Sequence, residues 1–235
     1  MRLGILALRC GVLALTLWAL LTRTSCFYLE NSCRAINVLS YFTIHSHIIM
    51  IAVLMAAIIL GALGKTEPAW LTTARLLATT YVVISGAVFG LLILDGSRSQ
   101  FLLLAPPSSM VLHFGLPFYA LADFFAFTRR RLPLKLAWTS LAFPVAWAVY
   151  TLIRGRAANW YPYFFLNPDR AGGYGMIGLY ALGLAAVILG LAALLILVSN
   201  SLARTRMRDA ATSPADRSNA VVVRPRDRAG EKLRH

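Results

Sequence analysis

The chain has 235 residues, of which 59% are hydrophobic and only 14% charged, and its mean hydropathy is +0.69. A soluble domain of this length has no need of so much uninterrupted apolar sequence, so composition places the chain in the polytopic membrane class. A formal net charge of +14 would suit a nucleic-acid binder, but nine of the 23 basic residues lie after Leu202 and no folded nucleic-acid module or aromatic-interleaved patch accompanies them.

Six apolar runs are predicted to be helices, at 3–21, 41–63, 76–94, 108–127, 136–153 and 176–198. A span needs roughly 20 residues, and soluble helices repeat a polar face every three or four residues, which segment 82–94 lacks. The expected fold is therefore all-α, a polytopic membrane protein with a six-helix transmembrane bundle. Residues 1–203 would form the transmembrane domain and 204–235, rich in Arg, Asp, Ser, Ala and Pro, a basic disordered tail. That tail could contact anionic lipid heads.

The first run is interrupted by Arg9, and this residue with the length of the run favours a retained helix over a cleaved signal peptide. Cys26 and Cys33 follow in the first loop; a disulfide between them and two free thiols are both open. There is no repeated CxxC and no ligand cluster at metal spacing, so no metal or other cofactor is expected.

The second run begins Tyr41-Phe42-Thr43-Ile44-His45-Ser46-His47. Thr43 and His47 are four apart and share a helix face, with Ser46 nearby. The third run carries Gly86 and Gly90, and the sixth Ala186 and Gly190, spacings that let helices approach closely. Asp95 ends the third run and could orient a histidine, although an interfacial charge is the plainer reading. Pro106-Pro107 should stop any helix and reset the chain before the fourth run.

In the fourth run His113 lies five residues after Ser108, at a depth similar to Thr43 if the two helices are neighbours. A threonine hydroxyl needs a base to become a nucleophile, and an imidazole suits that task. Asp123 lies roughly 15 Å along the axis from His113. That is too far for a direct catalytic contact, and interfacial Arg129–Arg131 or a cross-helix hydrogen bond are its expected partners. The short loop 129–135 should make the fourth and fifth spans antiparallel neighbours. Loop 154–175 carries Trp160, Tyr161, Tyr163 and Phe164, either a lid over the bundle mouth or an interfacial anchor.

With the N-terminus inside, the inner segments, counting Lys65, Arg75 and the tail, hold sixteen basic residues and the outer segments six. The positive-inside rule then puts both termini in the cytoplasm. Residues alone leave a hydrolase and a structural or transport role open. A membrane threonine often bonds only its own i−4 carbonyl, and His45 and His47, two apart, rarely converge on one ion. Nothing here fixes the oligomeric state.

The segment YFTIHSH resembles the YFT-x-x-S-N stretch of the androgen-induced-gene family of membrane proteins, and LHFGLPFYALADFFAF its later H-x-x-x-P…D stretch. Bacterial members, a Pr-six-Pr-type membrane family, are also similar to the closing stretch NWYPYFFLNPDRAGGYG. The likeness covers most of residues 35–198. It implies a six-span threonine hydrolase of fatty-acid esters in a bacterial-type plasma membrane, with Thr43 as nucleophile and His113 as base. The substrate would be an apolar fatty-acyl ester entering from lipid, with Ser46 and His47 as supporting donors. The chain departs from the pattern at His47, where the animal members have Asn, which leaves the substrate class open.

Overall fold

The computed structural model describes residues 2–29, 33–94 and 106–212. Among these residues there are helices and no strand, and six helices are long and apolar enough to cross a membrane. The spans run Arg2–Cys26, Phe42–Ala62, Ala69–Leu91, Pro107–Phe127, Leu134–Ala158 and Tyr174–Arg206. The second, of 21 residues, reaches about 31 Å at 1.5 Å per residue, enough for the hydrocarbon core. The last helix continues to Thr212, into the segment expected to be an unstructured tail.

Breaker residues set the ends. Gly64, at φ 65, turns the chain after the second span, in a left-handed conformation that costs glycine nothing. Pro107 occupies the first turn of the fourth helix, where its missing N–H leaves no bond unmade. Asn159 caps the fifth helix at φ 47, and Gly172 closes the short helix Pro168–Ala171 before the sixth span begins.

The surface is inverted relative to a soluble protein. Phe118, Ile153 and Leu182 are each more than two-thirds exposed, while Arg9, Arg75, Asp123, Ser46, His47 and Thr79 are buried. An apolar exterior around a polar interior is the arrangement a lipid solvent favours. Together with the six spans it makes this chain an integral, polytopic membrane protein.

Neighbour relations differ from the loop-length expectation. The fourth span packs on the third and first, whereas the fifth packs chiefly on the sixth. Loop 129–135 is drawn sideways because Asn200 brackets Leu132, accepting from its N–H at 2.8 Å and donating to its carbonyl at 2.9 Å. Of the small-residue pairs, Gly86 makes a close contact, while a Cβ at Gly90 or Gly190 would meet nothing within 4 Å.

Of the two expectations for Asp123, the cross-helix hydrogen bond holds and the interfacial arginines do not: Arg9 Nε donates to it at 3.1 Å. Its partners are Arg9, at 3.1 Å, and Arg75, at 2.9 Å, rather than Arg129–Arg131. The third helix begins at Ala69, so Arg75, expected in a loop, lies inside the bundle. Glu67 completes the group, taking both terminal nitrogens of Arg75 at 2.7 Å and Arg9 at 3.4 Å. Two guanidiniums therefore face two carboxylates, and the Arg9 guanidinium also lies 4.3 Å over the Phe127 ring. This neutral cluster ties the first, third and fourth helices together, and it packs Arg9 inside the bundle instead of leaving it in lipid.

Glu67 lies outside the spans. Burial alone would raise its pKa; the hydrogen bonds and charges of Arg75 and Arg9 outweigh that and hold it below 4.5. A carboxylate depressed on folding adds stability that is complete above its ordinary pKa and lost as pH falls through its native one. Thermal melting in detergent is therefore expected to drop as pH is lowered below 4.5, and to drop less in Glu67→Gln. Equal acid sensitivity in the two proteins would contradict this.

Candidate functional site

The site lies at the end of the bundle opposite the ion cluster. Tyr41 is extended and the second helix begins at Phe42, so Thr43 is in its first turn. The first-turn amides have no intrahelical acceptor, while the Thr43 carbonyl of this turn draws side chains. Ser46 Oγ donates to the Thr43 carbonyl at 2.9 Å, and His47 Nδ1 lies 2.6 Å from the same oxygen. His47 Nε2 faces the Leu112 carbonyl at 2.9 Å. A neutral imidazole donates to one of these carbonyls at a time. His47 is fully buried and joins the second helix to the fourth.

The fourth helix is not regular. Val111–Gly115 forms a π-helical turn between two α segments, with His113 at its centre. Pro117 explains it: it has no N–H for the carbonyl four residues back, which is that of His113, and its ring crowds that oxygen. Widened turns of this kind recur at functional sites. Gly86 of the third helix fills the space created; a Cβ there would sit 2.3 Å from the His113 carbonyl oxygen and 3.2 Å from Pro117. Gly86→Ala is therefore expected to cost ~1–3 kcal/mol through overpacking and to displace His113, whereas Gly90→Ala, with open space around it, should be silent. Matching melting temperatures for the two variants would contradict the close approach.

Thr43 lies in the first turn, so its own helix offers its hydroxyl no i−4 carbonyl. Thr16, Thr24 and Thr80 each donate to their own i−4 carbonyl. The Thr43 hydroxyl instead pairs across helices with Ser85 Oγ at 2.9 Å. The backbone of Ser85 faces the His113 ring, so Ser85 touches both residues that sequence singled out. His113 stacks on Phe89 at 3.8 Å, and among the described residues its Nδ1 is buried with no hydrogen-bond partner.

Thr43, Ser85 and His113 line one cavity of about 610 Å³. All six spans contribute to its wall, among them Arg23, Thr43, Ser85, His113, Trp147 and Tyr180. Its lining is predominantly apolar, and its volume falls in the general range of small-molecule sites. The Cys26–Cys33 disulfide is formed and borders the same cavity. Of the loop aromatics 160–165, Tyr163 and Phe165 line the cavity, joined by Leu166, which sequence reasoning passed over. Burial pushes the Tyr163 phenol up to about 12, with hydrogen bonding to Thr43 acting in the opposite direction. Trp160 instead packs edge-on to Tyr41, Tyr161 lies against Gly155, and Phe164 is about half exposed. Ser46 and His47 are adjacent but point to carbonyls and do not line the cavity. Asp95 falls outside the described residues.

Ser85 carried no sequence signal, because a single serine in an apolar run is common. Among the described residues no group of three or more His, Cys, Asp or Glu could hold a metal ion. No protein-family model, curated protein or solved structure matches the chain.

Proposed function

We propose that the chain is an intramembrane threonine hydrolase of apolar fatty-acyl esters, with Thr43 as nucleophile and His113 as base. The observation that carries this is the cross-helix Thr43–Ser85 hydroxyl pair sharing a predominantly apolar cavity with His113. The resemblance of YFTIHSH and LHFGLPF to the androgen-induced-gene family supports the same assignment.

In this reading His113 takes the Thr43 proton as Oγ1 adds to the ester carbonyl. The tetrahedral adduct expels the alcohol, which leaves with the proton from His113, and an acyl-threonine remains. Water, deprotonated by His113, then releases the fatty acid and restores Thr43. The hydroxyls of Ser85 and Tyr163 supply candidate donors for the oxyanion. Ser46 and His47 act one step back, holding the Thr43 backbone.

The orientation belongs to the same proposal. A disulfide at the cavity end suits an oxidising compartment, and the basic segments at the other end suit the cytoplasm. The site would then open on the non-cytoplasmic half of a bacterial-type plasma membrane.

The test is ester hydrolysis by purified protein in detergent, over long-chain p-nitrophenyl and branched fatty-acid esters. Thr43→Ala should abolish turnover and His113→Ala should lower it by ~10²–10⁴, both while keeping a melting temperature near that of the wild type. Turnover that survives Thr43→Ala would remove Thr43 as nucleophile. A second reading, a non-enzymatic lipid binder, is favoured by the Thr43 hydroxyl being already satisfied by Ser85. It predicts fatty-acyl binding without turnover, unchanged in Thr43→Ala.

A further inference from the structure

A second cavity, of about 430 Å³, opens at the other end of the bundle. Its wall is made where three chain connections meet: the start of the first helix, the turn after the second, and the end of the fourth. Arg2, Arg9, Lys65, Arg129 and Arg130 line it, against a single carboxylate, Glu67. Arg9 and Glu67 are engaged with each other and with the neutral cluster behind them. Arg2, Lys65, Arg129 and Arg130 are exposed, and among the described residues no carboxylate pairs with any of them. Gly64 adds no side chain to the wall; a Cβ there would lie 4.0 Å from an Arg2 terminal nitrogen.

Four like charges around one concavity repel one another, and among the described residues none of the four is paired with a carboxylate. We propose that this cavity is a phosphate site that takes the headgroup of an anionic membrane lipid. The position suits such a ligand: the cations stand at helix ends, at the level where headgroups lie, and basic pockets between spans on one face of a bundle bind anionic lipid heads. Arginine forks match phosphate oxygens two at a time, and Arg2 approaches from the start of the first helix while Arg129 and Arg130 approach from the end of the fourth. A phosphate seated there would link the first, second and fourth helices next to the Arg9–Glu67–Arg75–Asp123 cluster. The site is separate from the Thr43 cavity, and it stands whether or not the chain is a hydrolase.

The test uses the full chain, purified in detergent and titrated with dioctanoyl phosphatidylglycerol, dioctanoyl phosphatidylcholine and inorganic phosphate. Lys65→Gln, Arg129→Gln and Arg130→Gln are combined in one variant; all three residues are exposed, so an unchanged melting temperature is expected without ligand. Phosphatidylglycerol should bind this variant about 100-fold more weakly than the wild type, near one kcal/mol per removed cation. A control variant, Arg156→Gln with Arg170→Gln at the opposite end, should bind like the wild type. Inorganic phosphate that binds and is lost in the triple variant, with no lipid binding, would keep the phosphate site and make its source soluble. Three results would overturn the proposal: unchanged affinity in the triple variant, an equal loss in the control, or equal binding of the zwitterionic lipid.

Discussion

Asp123→Ala is expected to destabilise the folded bundle by ~3–5 kcal/mol, the range for breaking a buried ion pair on one side. Among the described residues, Asp123 is the one carboxylate within the spans that Arg9 and Arg75 share, at 3.1 and 2.9 Å. Without it two guanidiniums, both almost fully buried, face one another with only the partly buried Glu67 between them. The cost comes from the uncompensated charge rather than from the lost contact. A double variant, Arg9→Met with Asp123→Leu, leaves Arg75 and Glu67 as a neutral bidentate pair at 2.7 Å and is expected to cost less than Asp123→Ala alone. Equilibrium unfolding in mixed micelles measures both. A double variant less stable than the single would contradict the charge-balance account.

The largest effect expected in the cavity is on rate. Thr43→Ala should reduce ester turnover to background, and His113→Ala should lower it by ~10²–10⁴, the usual contribution of a positioned base. Ser85→Ala should lower turnover less than either, because its hydroxyl orients Thr43 without being the attacking atom in the proposed scheme. Thr43→Ser keeps an oxygen in place and should retain part of the activity. Melting temperatures near wild type in all four variants would separate chemistry from folding.

The architecture was legible because lipid imposes length and polarity on whole segments: 41–63 and 176–198 contain no charge, and Pro106-Pro107 starts the fourth helix as its backbone chemistry requires. The shared depth of Thr43 and His113 followed from the second and fourth spans entering from the same side, and both residues line one cavity. The ion cluster was not legible. Arg9 and Asp123 are 114 residues apart, and a charge ending an apolar run reads as a loop residue until its partner is seen. Arg75 was misplaced for that reason, since its pairing with Glu67 and Asp123 is what lets the third helix carry it inside. The lid was legible only in part: aromatic composition marks an interface, but not which rings turn inward, and Tyr163 does so while Phe164 does not. Pro117 carried a readable signal for the widened turn at His113, because a proline inside a span orphans the carbonyl four residues earlier.

The central claim, that Thr43 is an activated nucleophile, is tested most directly by labelling the full-length protein with a long-chain fluorophosphonate and locating the adduct by peptide mass spectrometry. The account predicts a single adduct on Thr43, absent in Thr43→Ala and strongly reduced in His113→Ala. An adduct on Ser85, whose hydroxyl lies 2.9 Å away, or label that persists in Thr43→Ala, would contradict it.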